Sequence, residues 1–199
     1  MADERDDDVM GAVFSALCSH GYADLTMQDI ADNSSLSKGA LHYHYDTKRD
    51  LLLAFLAHLY DRFEARLDDA EAAAGEDPAE RAEAVIDAAI QPPEKPDLRE
   101  FRTAVLEIKA QAPFEPGYRD HLAAFDDTVS DRIERIVADG VESGRFEPET
   151  DPAEIASFVV TVINGALTRS VATDYPVAEA RTILLDYLHD HVREPEAGR

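Results

Sequence analysis

Apolar residues recur along this chain at spacings of three and four, and no stretch alternates convincingly at spacing two. Val9, Met10, Val13, Phe14 and Leu17 form the first such stripe. That pattern buries one face of an α-helix. Gly21 is placed to stop it, because glycine closes a helix in a left-handed conformation at little steric cost. Met27, Ile30 and Ala31 mark a short second helix capped by Thr26, and Asn33, Ser34 and Ser35 break it. Ser37 caps a third short helix. Asp46 or Thr47 opens a fourth, with Thr47 and Asp50 at capping-box spacing, although the box prefers Glu or Gln in the last place. Leu52, Phe55, Leu56, Leu59, Phe63 and Leu67 keep one face of that helix apolar to about residue 72.

Five further stripes follow. Val85 and Ile86 centre a fifth helix after the break at Gly75 to Pro78. Leu98, Phe101, Val105 and Ile108 mark a sixth, beyond QPPEKPD at 91–97, where proline removes donors and crowds the preceding turn. After the loop APFEPG, Leu122, Phe125, Val129, Ile133 and Val137 mark a seventh that stops near Gly144. Ile155, Phe158, Val159, Val162, Ile163 and Ala166 mark an eighth; Ala180, Ile183, Leu184, Tyr187 and Leu188 mark a ninth after Pro176. The tail EPEAGR is expected to fray. The pattern predicts an all-α protein of three short N-terminal helices and six longer ones, with no Gly-Ser linker between the two parts. The fourth helix is expected to join them, so that its motion carries the small domain.

Charge changes this picture. The chain has 42 Asp+Glu against 19 Lys+Arg, a formal net charge of −23, and only four lysines among its 199 residues. With 45% hydrophobic residues in helical register it can bury a core, so the acids belong on outer faces rather than in a disordered chain. We read this as a surface adapted to high salt, as in a halophilic archaeon; at molar salt the Debye length falls to roughly 3 Å and self-repulsion is screened. Cys18 is the one cysteine, so no disulfide forms within the chain, which fits a cytoplasmic protein. MADERDDD lacks the basic and apolar parts of a signal peptide, and the longest near-apolar stretch, LLLAFLAHL at 51–59, is too short to span a bilayer. No membrane partner is expected.

The chemistry concentrates at residues 26–48. A short helix, a break and a second short helix is helix-turn-helix spacing. The second helix is then the reader, with its N-terminal residues toward base edges in the major groove. Ser37 caps it, Lys38 supplies a cation, Gly39 and Ala40 allow close approach, and Tyr43 and His44 carry hydrogen-bonding tips. Lys48 flanks it as a phosphate clamp. His42 and His44, two apart, point about 200° apart on a helix and cannot chelate together. No metal or cofactor is expected, and no catalytic signature is present.

GYADLTMQDIADNSSLSKGALHYHYDTKRDLL resembles the DNA-binding region of the tetracycline-repressor (TetR) family of transcriptional regulators. Gly21-Tyr22, Thr26, Ile30-Ala31, Ser37-Lys38-Gly39, Leu41, Tyr43-His44-Tyr45, and Lys48 followed by Leu51-Leu52 carry the likeness, which covers about residues 9–60. It implies a three-helix DNA-binding domain at 1–50 and a six-helix ligand-binding and dimerisation domain at 51–194. It implies phosphate contacts from Thr26, Gln28, Tyr43 and Lys48, and positions at or near the groove for Ser37, Lys38, Ala40 and His44. Phe14, Ile30, Leu36, Leu41 and Tyr45 would form the small core. The family's turn usually has glycine where Ser35 stands, so a left-handed Ser35 would cost on the order of 1 kcal/mol. His42 stands where an aromatic residue is usual, which leaves its contact open.

The expectation is a homodimeric regulator, a ligand-released repressor on a near-palindromic double-stranded operator, with an unidentified small-molecule effector. Phe63, Phe101, Val105, Phe125, Val129, Phe158 and Val162 are candidates to line its pocket. Ile155, Val159, Ile163, Leu167, Ile183, Leu184, Tyr187 and Leu188 are candidates for the dimer interface. The alternatives are an activator, a ligand-independent regulator, or a helical protein-interaction module. Residues 1–50 hold four Lys+Arg and ten Asp+Glu, where a DNA-binding domain usually shows a basic footprint. Counterion release loses force as salt rises, so in molar salt that shortage matters less.

Overall fold

The computed structural model describes residues 2–90 and 98–191, with side chains from residue 6 onward. The expected break at 91–97 and the EPEAGR tail lie outside the described residues. Among those described are nine α-helices: α1 (Ala2–Asp24), α2 (Met27–Asp32), α3 (Lys38–His44), α4 (Lys48–Ala73), α5 (Pro78–Ile90), α6 (Leu98–Gln111), α7 (Pro116–Glu142), α8 (Pro152–Ala172) and α9 (Val177–His189).

The first helix is longer than its apolar stripe, because its acid-rich opening suits the positive end of a helix dipole. Gly21, at φ 70° and ψ 176°, breaks its helical geometry just before the end. Gly75 (φ 80°) follows α4 and Gly144 (φ 76°) follows α7, both as stops. Two Thr-x-x-Asp capping boxes punctuate the N-terminal half. Thr26 and Asp29 bond reciprocally at the start of α2, and so do Thr47 and Asp50 at the start of α4. Aspartate therefore serves where Glu or Gln is usual. The APFEPG loop is shorter than the stripe implied, because Pro116 already opens α7, with the Glu115 carbonyl accepting from Tyr118 and Arg119.

The chain divides into two compact units, Met1–Asp61 with Glu94–Ala123, and Arg62–Pro93 with Ala124–Arg199. The boundaries between these packing units fall inside α4 and α7. In the first unit α6 lies along α1, and Val13, Leu17, Ile30, Leu41, Leu52, Phe55, Ile108 and Tyr118 share one core. Phe14, Leu36 and Tyr45 pack against it. In the second unit α5, α8 and α9 pack together around Val85, Ile86, Ile133, Val159 and Leu184, with Phe146 fully buried.

The membrane reading needs one correction. LLLAFLAHL is not the most apolar long segment: α8, with 21 residues, is long and apolar enough to cross a bilayer by length and composition. Its polar breaks hid this, since Thr161, Asn164 and Thr168 interrupt the run of letters without making the helix hydrophilic. Ile155, Ala156, Val159, Ile163 and Ala166 of α8 are nevertheless buried in the core of the second unit.

Candidate nucleic-acid interface

Helix α3 is short, and only Leu41 anchors it by full burial. The Ser37 hydroxyl caps it by accepting from the Ala40 N–H at 3.2 Å. With Leu41 turned into the core, Lys38, Gly39, His42, Tyr43 and His44 are exposed and Ala40 is half-buried. Tyr43 is 86% exposed, the most exposed of the large apolar side chains among the described residues. Its ring meets His44 edge-on, with centroids 5.3 Å apart. Gly39 has a negative φ, and the nearest atom to a Cβ placed there is the Ser37 hydroxyl oxygen at 3.9 Å. The free protein has room for a side chain at Gly39.

The flanking residues are already engaged. Thr26 is exposed but locked in its capping box. The Gln28 amide donates to Asp32 at 2.7 Å. Lys48 Nζ donates to the Tyr22 carbonyl at 3.1 Å and lies 4.9 Å from the centre of the Tyr22 ring. Arg49 pairs with Glu115 at 2.7 Å. Lys38 has no ion-pair partner among the described residues.

Sequence reasoning missed the residues that hold this surface. Tyr22, marked in the sequence only as part of the family likeness, is a junction. Its N–H donates to the Glu107 carboxylate of α6, its carbonyl accepts from Lys48 of α4, and its hydroxyl is bonded to buried Tyr118 of α7. Burial, then that bond, push the Tyr118 hydroxyl far above its ordinary pKa. Gly21 is required here, because a Cβ would sit 3.0 Å from Glu107 Oε2 at a positive φ. Glu107 lies 85 residues from Tyr22, and no local signal marked the pair.

Asp8 was also missed. Its carboxylate accepts from the Ser35 hydroxyl at 2.7 Å, the Ser35 N–H at 3.0 Å and the Ser34 hydroxyl at 3.2 Å. Ser35 does not take the left-handed conformation expected of the family's turn glycine: among the described non-glycine residues only Asp174 has positive φ. A side-chain anchor replaces the special backbone geometry. The bonds from Ser35 hold the Asp8 carboxyl below its ordinary pKa, and the bonds from Thr26 do the same for Asp29.

The proposed pocket residues fall in both units. Phe101 stacks on Phe14 at 4.9 Å in the first unit, where Val105 is half-buried. Phe63 meets Phe125 at 5.2 Å in the second, with Val129 buried beside them. Phe158 and Val162 are half-buried on α8. A cleft of about 230 Å³ in the second unit holds none of these seven residues; it is lined by Glu147, Glu149, Thr150, Asp151, Glu154, Ile155, Tyr187 and His191. Of the proposed dimer residues, Ile155, Val159, Ile163, Leu184 and Leu188 are buried in the second unit's own core, Leu167 and Tyr187 are half-buried, and Ile183 is 54% exposed.

A short capped helix, seated by one leucine behind a tight turn and presenting a cation, a bare backbone and an exposed tyrosine, defines a helix-turn-helix DNA-binding protein. Comparison with known proteins agrees with that class. Residues 15–55 match the family model for bacterial regulatory proteins of the tetR family. Residues 78–193, more than half of the chain, match the C-terminal model of BetI-type transcriptional repressors. The chain belongs to the TetR family of transcriptional regulators, and is not an enzyme. A crystal structure of a TetR transcription regulator from Haloarcula marismortui is similar, at 34% identity and TM-score 0.85, covering 96% of this chain and 100% of that one. A TetR-family structure from Rhodococcus is 26% identical with TM-score 0.78, covering 94% and 98%. The HTH-type transcriptional repressor AcnR of Corynebacterium glutamicum is 26% identical, over 88% of this chain and 85% of its own length.

Proposed function

We propose that the protein is a cytoplasmic, homodimeric repressor that binds a near-palindromic operator through two copies of α3 and leaves it when a small effector binds. The exposed face of α3 carries this reading. Leu41 is fully buried, while Lys38, Gly39, Tyr43 and His44 have few contacts of their own and face outward together. Tyr43 would take a phosphate; Lys38, Ala40 and His44 would sit at or near the groove. Gly39 would let the backbone approach, and His42, exposed beside Tyr43, belongs to the same surface. Thr26, Gln28 and Lys48 would join them only by giving up or sharing the bonds they already make. The name repressor is taken from the AcnR relatives and the BetI-type model.

The dimer face is better drawn from the outward side of α8 and α9 than from their whole stripes. Phe158, Val162, Ile183 and Tyr187 are not fully buried, and Phe158 and Tyr187 rings touch at 4.2 Å. Gly165 is exposed with open space around it, which suits close helix approach. Two copies of this pair would make a four-helix contact across a two-fold axis. Phe63, Phe125 and Val129 remain the effector candidates of the second unit, and Phe101 and Val105 those of the first. Whatever the effector, it must bind the released state better than the DNA-bound one.

The salt-adapted surface belongs to the same proposal. It rests on the surface itself: the solved relative quoted above is from Haloarcula and the curated relatives are from corynebacteria. Footprinting at near-molar KCl on the DNA upstream of the gene tests the whole reading. A protected near-palindrome with half-sites roughly 34–36 Å apart is expected. No protected site anywhere in a genome-wide pull-down would sink it.

A further inference from the structure

We propose that Asp8 is a positioning residue for DNA recognition: from α1 it holds the turn between α2 and α3, and so sets the pose in which α3 meets the operator. The inference rests on α3 being the DNA-contacting helix.

The turn has little else to fix it. The Asn33 and Ser34 N–H groups still bond back to the carbonyls of α2, at 3.1 and 3.2 Å. The Leu36 N–H is taken by the Ser34 hydroxyl at 2.9 Å. Between them the Ser35 N–H leaves the local chain and reaches Asp8 Oδ2. The hydroxyls of Ser34 and Ser35 converge on the same oxygen. Backbone groups need partners, and here the partner comes from another helix. That helix is a firm base, since the next residues, Val9 and Met10, are buried in the core of the first unit. Leu41 is the one fully buried residue of α3, and Leu36 before it and Tyr45 after it pack partly against the same core, so the polar anchor at the turn acts with these apolar contacts to set the direction of the helix. A glycine turn would get its shape from left-handed backbone geometry; this chain gets it from a carboxylate 27 residues upstream.

The sign of the effect separates this role from a plain charge effect. Asp8 is one of ten acids in residues 1–50, and removing an acid from a DNA-binding half tightens binding to any DNA by electrostatics alone. A positioning role predicts the opposite for the operator. Asp8→Ala should weaken operator binding roughly tenfold, the scale of losing one or two charge-assisted hydrogen bonds. Binding to random DNA should stay the same or tighten. Asp8→Asn keeps an acceptor oxygen and should recover most of the operator affinity. In a Ser34→Ala/Ser35→Ala background Asp8 keeps only the Ser35 N–H, so Asp8→Ala should cost clearly less there than in the wild-type chain.

The measurement is a competition gel shift on the full-length protein, operator against random DNA, with thermal melts to confirm that each variant is folded. Operator binding that tightens in Asp8→Ala overturns the proposal. So does an equal loss on operator and random DNA, or a penalty as large in the double-serine background as in the wild-type chain. If Asp8→Ala does not fold, the Asn variant and the serine background carry the test. A wild-type protein that binds no operator is a different result and sinks the regulator reading itself.

Discussion

The two units handle their acids differently. In the N-terminal half the carboxylates of Asp8, Asp29 and Asp50 accept from hydroxyls and backbone N–H groups at helix starts and turns. In the second unit carboxylates meet arginines. Glu71 takes Arg81, Arg132 and Arg135, Asp77 takes Arg145, and Asp87 with Glu83 takes Arg181. The contrast is not complete: Arg49 pairs with Glu115 in the first unit, while in the second Asp151 caps α8 by accepting from backbone N–H groups and Asp126 accepts from the Asn164 amide. A chain with 42 acids and 19 bases could have consumed every cation in ion pairs. The N-terminal acids Asp8, Asp29 and Asp50 are satisfied by neutral donors, and Lys38 has no ion-pair partner among the described residues. Two glycines differ in a similar way: Gly140 of α7 is packed against by the buried Phe146 ring, whereas Gly39 of α3 has only the Ser37 hydroxyl oxygen near it, at 3.9 Å.

The largest effect should come from Gly140→Ala. Its new Cβ would sit 2.1 Å from Phe146 Cδ2, and Phe146 is fully buried. Overpacking of this kind costs about 3 kcal/mol, read as a fall in the thermal or urea midpoint. A midpoint unchanged by Gly140→Ala would show that the second unit is loosely packed there. Glu71→Ala comes next. Its side chain is 14% exposed and neutralises three arginines, so their mutual repulsion would appear, at about 2 kcal/mol of lost stability. Loss of less than a few tenths would place that cluster with ordinary surface ion pairs.

Gly39→Ala should do the reverse of Gly140→Ala. Helix propensity favours it by up to about 1 kcal/mol, so the melting temperature should hold or rise. Operator binding should fall at least about tenfold, near 1.4 kcal/mol, because the added methyl meets the DNA backbone or bases. Retained binding with raised stability would show that α3 approaches DNA by another face.

The smallest effect is in acid. Asp8, Asp29 and Glu71 are all held below their ordinary values of 3.8, 3.8 and 4.5. For Glu71 burial works upward, and the bonds from Arg81 and Arg135 outweigh it. Carboxyls depressed in the folded state stabilise it fully above their unfolded pKa, and that stability is lost as pH falls through the folded values. Urea midpoints should therefore be flat from neutral pH down to about 5 and fall below 4.5. Asp8→Asn should flatten part of that fall, and a slope identical to wild type would remove Asp8 from the set.

Most of the helical framework was legible. Spacings of three and four mark a buried face whatever it packs against, and caps such as Thr26 and Ser37 act within four residues. Which face of α3 is exposed was legible for the same reason, since Leu41 is the residue apolar enough to be the anchor. The stripes of α8 and α9 left one thing open, because a helix that is apolar most of the way round does not say which side meets its own core. Ile155, Val159 and Ile163 turn inward, and Phe158 and Val162 are left at the surface.

By itself, then, the order of residues determined the helices, their stops and the class of the DNA-binding motif, because these follow from interactions a few residues long. The tertiary structure decided what the local code leaves open. Glu107 and Lys48 meet at Tyr22, a packing boundary falls inside α4, and Asp8, one aspartate in a run of three, is the one that grips the turn. Those partners lie 26 to 85 residues apart, and only the folded chain brings them within hydrogen-bonding distance.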